Sequence, residues 1–259
     1  MFNFKHLNIE VSGSIVVLRL GDGSKMNAME IDGHGELPLF FREFQRVEQV
    51  SVAVVTGAVA PGQKPAFSVG GNIDLLRRMN TEADVRSRIF HDALELVRSL
   101  IDLDKPLVAA VNGPAMGAGA ITALLSDFIY MERKAKLADG HIRAALAAGD
   151  GGTIVWPLTV GLVKAKQYLM TGDFIDAVEA ERLGLVTAVV PDGESLTQSI
   201  ETAKRLADGP QPAIRATKRA LHAHLRHAYT LGFEQALLAE EVNVCSNEAS
   251  LAIERLASR

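Results

Sequence analysis

The sequence predicts an α/β fold, built on a largely parallel sheet covered on both faces and followed by a helical C-terminal region. Three observations predict it. Short, almost wholly apolar runs, Val-Ala-Val-Val-Thr at 52–56 and Pro-Leu-Val-Ala-Ala-Val at 106–111, read as strands buried on both faces. Segments with helical spacing separate these runs, as in parallel βαβ units. Beyond about residue 195 helical spacing dominates, which divides the chain into a core over 1–195 and a helical region over 196–259.

Along the chain, residues 7–11 and 15–20 flank Ser12-Gly13 and predict an opening hairpin. A polar loop over 21–28 precedes a helix expected over 36–47 and the strand at 52–56. Pro61, Gly62 and Pro65 make 58–67 a surface loop, after which Ser68-Val69-Gly70-Gly71-Asn72 leads into a short helix. A long amphipathic helix is expected over 83–103. Past the strand at 106–111, Asn112-Gly113 turns the chain into a small-residue helix over 117–125, and 128–131 and 136–138 read as further strands. The remainder from Gly151 reads as mostly helical, broken at Gly161, Gly172, Gly184 and Asp208-Gly209-Pro210.

Composition excludes several function classes. The net charge of −4 comes from mixed signs with no block of like charge, so neither a nucleic acid backbone nor an anionic membrane is an expected partner. No apolar stretch approaches the about 18 residues of a membrane span, and the N-terminus lacks the basic and apolar regions of a secretory signal. The single cysteine, Cys245, rules out an internal disulfide framework and fits a reducing compartment, so a cytoplasmic location is expected. His222, His224 and His227 superficially suggest a metal cluster, yet only His224 and His227 are three apart on a presumed helix, His222 stands at an angle to both, no carboxylate or cysteine matches their spacing, and no metal is expected. Cys245 and Trp156 read as packing residues.

Two glycine-bearing segments carry the chemistry. Residues 67–74, Phe-Ser-Val-Gly-Gly-Asn-Ile-Asp, and residues 111–120, Val-Asn-Gly-Pro-Ala-Met-Gly-Ala-Gly-Ala, each lie between a strand or loop and a helix start. Glycine permits close backbone approach, and a helix N-terminus presents unpaired N–H groups. Each segment alone is an ordinary turn and cap. The second also approaches a dinucleotide fingerprint, but no glycine fills its last place and Glu132 is a poor ribose ligand. Together the two turns can aim one N–H each at a single carbonyl oxygen and so form an oxyanion hole.

At this point the order and spacing of motifs resemble the enoyl-CoA hydratase/isomerase (crotonase) superfamily over almost the whole chain. The resemblance rests on Phe67 through Gly70-Gly71-Asn72-Ile73, on Lys105-Pro106 through Asn112-Gly113 with Ala115-Met116-Gly117, and on residues 169–172 and 177–186. It implies a spiral of ββα turns with a helical C-terminal trimerisation region, and a homotrimer or dimer of trimers. It implies a CoA thioester as substrate, coenzyme A entering as part of that substrate and no separate cofactor. It also implies oxyanion donors at the backbone N–H groups of Gly71 and Ala118.

The departures are as informative. Hydratases of this family use two glutamates; at the matching positions this chain has Ile121, which moves no proton, and His141. Ala148-Gly149-Asp150-Gly151-Gly152 replaces the usual uncharged turn and places a carboxylate at a helix start. The segment from Gly140-His141 to Val155-Trp156-Pro157 is also similar to 6-oxocamphor hydrolase, a crotonase relative that cleaves a β-diketone without CoA using a histidine and an aspartate at the matching places. His141 is thus an expected acid/base and Asp150 its partner, although Asp150 also suits an N-cap and His141 an ordinary loop histidine. One glutamate of the C-terminal helix, Glu234, Glu240 or Glu241, is a candidate to support His141. The reading is an acyl-CoA enzyme with enolate chemistry; the alternatives are a C–C bond hydrolase and a non-catalytic acyl-CoA-binding homologue.

Overall fold

The computed structural model describes residues 2–258. The chain opens with β1 (Asn8–Ser12) and β2 (Ile15–Leu20), then α1 (Ile31–Arg46), β3 (Val52–Gly57), α2 (Ile73–Thr81), α3 (Ala83–Ile101) and β4 (Leu107–Val111). There follow β5 (Ala115–Met116), α4 (Gly117–Leu124), β6 (Phe128–Glu132), β7 (Lys136–Ala138), α5 (Gly152–Thr171), β8 (Ile175–Asp176), α6 (Ala177–Arg182) and β9 (Ala188–Val190). Three helices complete it: α7 (Ser195–Ala207), α8 (Gln211–Val244) and α9 (Asn247–Ala257).

The six-stranded sheet has the order β1-β2-β3-β4-β6-β9, with an antiparallel β1–β2 hairpin and every other pair parallel. Strand periodicity assigns alternate side chains to opposite faces. Leu18, Val55, Ala109 and Met131 enter the main core, while Val17, Val54, Val108 and Ala110 enter a second cluster under Leu196, Ile200 and Ala203 of α7. Both faces are therefore covered, as the unbroken apolar runs predict. The first helix past residue 195 thus lies on the sheet, whereas α8 packs on α3 and α5, and α9 on α2.

A second sheet positions the site. In it β5 runs parallel to β7, and β8 antiparallel to β7. Isolated parallel bridges join Ser68 to Ala115 and Met29 to Gly71. Each turn of the chain thus lays one short segment beside that of the turn before, as in the expected ββα spiral. These segments of two or three residues are too short to register as periodicity, and β5, β8 and β9 went unpredicted; β9 completes the main sheet.

Helix α1 begins five residues before its expected start, spanning Gly33 and Gly35 despite their poor helix propensity. Backbone bonds from Met29 N to Gly70 O (2.7 Å) and from Asn72 N to Met29 O (3.1 Å) pin the chain just ahead of it. Leu37, Phe40, Phe41 and Phe44 then lock its apolar face into the core, so tertiary packing overrides local preference. Among the described residues no helix is long and apolar enough to cross a membrane.

Candidate active site

The two glycine-bearing turns lie side by side. Met116 N donates to Ser68 O at 2.9 Å and Ser68 N to Pro114 O at 3.3 Å, stitching one segment to the other. Gly70 (φ 78°) and Gly117 (φ 49°) adopt left-handed conformations that disfavour other residues. A Cβ on Gly70 would stand 3.2 Å from Met116 O and 3.5 Å from Ala118 N, so the missing side chain keeps the space before that amide clear. Gly71 N and Ala118 N have no hydrogen-bond acceptor among the described residues. Ala118, second residue of α4, owes this to its place in the first helical turn.

Beside these amides stands a buried ionisable cluster. Gly140 (φ 85°) turns the chain sharply after β7, so that Asp139 and His141 face each other. Asp139 Oδ1 lies 2.8 Å from His141 Nδ1, fixing the ring. On the other side, His141 Nε2 lies 3.4 Å from Asp150 Oδ2 and 3.6 Å from Glu240 Oε1. Asp150 does not cap α5: Gly151, at φ 117°, takes the cap position without any side-chain bond. The Asp150 carboxylate reaches the second glycine-bearing turn instead, 4.0 Å from where a Cβ on Gly117 would stand. Glu240 arrives from α8, and a Cβ on Gly149 would fall 2.6 Å from its Oε2. Asp139 Oδ2, Asp150 Oδ1 and Glu240 Oε2 are buried without partners.

This crowding sets the protonation states. Burial pushes the Asp150 carboxyl up to about 6, against the pull of His141 and with added repulsion from Asp139. Burial likewise pushes Glu240 up to about 8, opposed by His141 and reinforced by Asp150 and Asp139. Burial lowers His141, but the Asp150, Asp139 and Glu240 carboxylates outweigh it and hold the imidazole well above its ordinary range. The raised imidazole and the two raised carboxyls therefore hold their protons as one coupled set.

The amides and this cluster open onto one cavity of about 650 Å³. Val69, Leu75, Met79, Ile89, Phe90 and Ala93 make its walls largely apolar, a form suited to a small hydrocarbon-bearing ligand with a few polar groups at one end. A larger open cleft of about 1220 Å³, bordered by Arg19, Thr56, Asn112 and Glu132, contains neither the two free amides nor the His141 cluster.

Comparison with known proteins decides the family. The enoyl-CoA hydratase/isomerase family model matches residues 10–252. The chain belongs to the enoyl-CoA hydratase/isomerase family. A crystal structure of an enoyl-CoA hydratase/isomerase from Mycobacterium paratuberculosis superposes with a TM-score of 0.93 at 32% identity, over 98% of this chain and 100% of that one. A crotonyl-CoA hydratase from Syntrophomonas wolfei is 31% identical over 84% of this chain and 81% of its own length. A short-chain-enoyl-CoA hydratase from Clostridium acetobutylicum is 29% identical over 83% and 80% respectively.

In this family member the structure gathers Gly71, Ala118, His141, Asp150 and Glu240 at one place. Glu234 is a correction: its side chain is 70% exposed and lies 3.8 Å from Arg98, because it occupies a solvent-facing position of α8. Glu241, next to Glu240, does not line the cavity. Cys245 is exposed, correcting its reading as a packing residue, whereas Trp156 is fully buried. His222 is a core histidine, its Nδ1 2.8 Å from Ile101 O and its Nε2 3.5 Å from Asp127, while His224 and His227 are exposed. Asp139, His141 and Asp150 offer atoms within 4.8 Å of one another, and the His141 Nδ1–Asp139 Oδ1 approach at 2.8 Å is a hydrogen bond. Two residues escaped the sequence reading. Asp139 was legible as the carboxylate two places before His141; His34 offered only a lone histidine between two glycines, ahead of the expected helix, and it lines the cavity.

Proposed function

We propose that this enzyme acts on an acyl-CoA thioester through an enolate, with His141 and Asp150 moving the protons that a glutamate pair moves in its hydratase relatives. One observation carries the reading: the free Gly71 and Ala118 amides and the Asp139–His141–Asp150–Glu240 cluster line the same cavity. With the thioester oxygen between the two amides, charge leaving the adjacent carbon is stabilised as it develops. The ionised Asp150, beside Gly117, accepts a proton; the His141 imidazolium steadies the resulting charge, and Glu240 returns a proton by way of His141. Ile121, 2% exposed and packed among apolar side chains, takes no part.

A second reading is C–C bond hydrolysis of a β-diketone without CoA. The specific observation favouring it is the Asp139–His141 bond, an arrangement that suits the imidazole for activating water once Asp150 has taken its Nε2 proton. Turnover and thermal-shift measurements with crotonyl-CoA, acetoacetyl-CoA and free cyclic 1,3-diketones test the choice. The expected result is stabilisation and turnover with thioesters. Response to free diketones alone overturns the first reading in favour of the second, and binding without turnover of any of these compounds supports a non-catalytic homologue.

Homo-oligomerisation belongs to the same reading. Leu231 (72% exposed) and Val242 (65%) on α8, and Val163 (82%) and Met170 (70%) on α5, leave large apolar side chains in solvent, which suits burial against further copies. Light scattering is expected to give the mass of a trimer or a dimer of trimers; a monomer at working concentration counts against it.

A further inference from the structure

His34 is a cavity-lining group for which the chemistry above has no use. It is 6% exposed, and no side-chain hydrogen bond or ion pair to it exists among the described residues. Its Nδ1 is sealed and unpartnered, leaving Nε2 as the ring nitrogen open to the cavity. Burial, with no compensating charge nearby, pushes the imidazole down to about 4, so the ring is neutral under working conditions. A neutral imidazole carries one N–H, and a sealed lone pair is tolerated better than a sealed donor. The proton is therefore best placed on Nε2, facing the ligand space.

The location says which part of a ligand this donor meets. Met29, just ahead of α1, is bridged to Gly71, so α1 rises from the flank of the oxyanion turn, with His34 in its first turns. The surrounding walls, Leu75, Met79, Ile89 and Phe90, are apolar and form the chamber for the carbon skeleton attached to the bound carbonyl. An oxygen on that skeleton would lose water on entering and would find no partner among those side chains. His34 supplies one.

Resting on the acyl-site reading above, we propose that His34 is a specificity residue whose Nε2–H hydrogen-bonds a second oxygen on the substrate skeleton. Ligands with a second oxygen on the skeleton are then favoured over plain hydrocarbon acyl groups, and 1,3-dicarbonyl compounds are the probes. This chemistry has two sources, a 3-oxoacyl thioester or a free ring diketone, and matched ligand pairs separate them.

The experiment measures dissociation constants for acetoacetyl-CoA against butyryl-CoA, and for cyclohexane-1,3-dione against cyclohexanone. It compares the wild-type protein with His34→Phe, His34→Leu and His34→Asn. Wild type is expected to prefer the dicarbonyl member of at least one pair by about tenfold or more. His34→Phe or His34→Leu should abolish that preference while leaving the monocarbonyl ligand within about twofold, and His34→Asn, which keeps a donor, should retain part of it. The apolar variants should melt no lower than wild type, since they remove a buried unpaired nitrogen. A response confined to the CoA pair identifies the thioester, and one confined to the diones identifies the free diketone. Equal affinities within each pair in wild type, an unchanged preference in both apolar variants, or equal loss of both members overturns the specificity role while the acyl-site reading stands. Failure of every ligand to bind wild type overturns both. Should His34→Phe and His34→Leu both fail to fold, the histidine is structural and the inference falls.

Discussion

Replacing Asp150 by asparagine or His141 by alanine is expected to lower kcat/KM by about 100- to 10,000-fold, the range for loss of a positioned acid or base. The two substitutions are expected to be far from additive. His141 Nε2 and Asp150 Oδ2 lie 3.4 Å apart and in the proposed mechanism serve one proton transfer, so removal of either is expected to disable the unit. Steady-state kinetics of both single variants and the double variant check this. A double variant as impaired as the product of the singles would show independent roles, and wild-type turnover in Asp150→Asn would remove Asp150 from the chemistry.

The same cluster shapes the pH dependence. With Asp150 required ionised and Glu240 required protonated, kcat/KM should follow a bell with an acid limb near the about 6 of Asp150 and an alkaline limb near the about 8 of Glu240. Glu240→Gln should erase the alkaline limb. Stability moves in a related way, and its sign follows from the direction of the shift. Glu240 has a higher carboxyl pKa in the folded chain than in the unfolded one, so the fold holds the extra proton and loses stability as pH rises from the ordinary carboxylate range toward about 8. Glu240→Gln should therefore gain on wild type in chemical denaturation as pH increases through that window.

These groups were unequally legible in the sequence, for physical reasons. His141 and Asp150 belong to one local segment, and motif register alone placed them at the cavity. Glu240 joins them from α8, and three nearby glutamates are chemically alike; only the packing of α8 against the loop at Gly149 decides that Glu240 is buried and Glu234 is not. Asp150 read equally well as a helix cap, because a carboxylate before a helix is the usual cap and only backbone geometry reveals that Gly151 takes the position. The long apolar strands were legible because burial on both faces leaves unbroken runs; the short strands β5, β8 and β9 depend on neighbours distant in the chain. His34 stayed hidden for the complementary reason. A neutral core histidine and a ligand-facing one have the same sequence surroundings, and they differ only in which ring nitrogen meets open space.

Gly119→Ala sets local propensity against tertiary geometry. Within a helix alanine is favoured over glycine by about 1 kcal/mol, so α4 considered alone would gain from the change. The surroundings reverse that sign. A Cβ on Gly119 would fall 2.7 Å from Ser68 Cβ and against the Ser68 carbonyl, which is backbone and cannot rotate away. Ser68 is also the residue through which the two turns are bonded, by Met116 N to Ser68 O at 2.9 Å. Relief of the clash is therefore expected to shift the Gly71 turn against the Ala118 amide, spoiling the convergence on one oxygen that the proposed function requires. The expected cost is that of losing an oxyanion donor, about 100- to 1,000-fold in kcat, with substrate affinity less affected and the melting temperature lowered. Kinetics of Gly119→Ala measure it directly. Wild-type kcat in that variant would mean that the two turns do not need their present separation, and an oxyanion shared between them would lose its support.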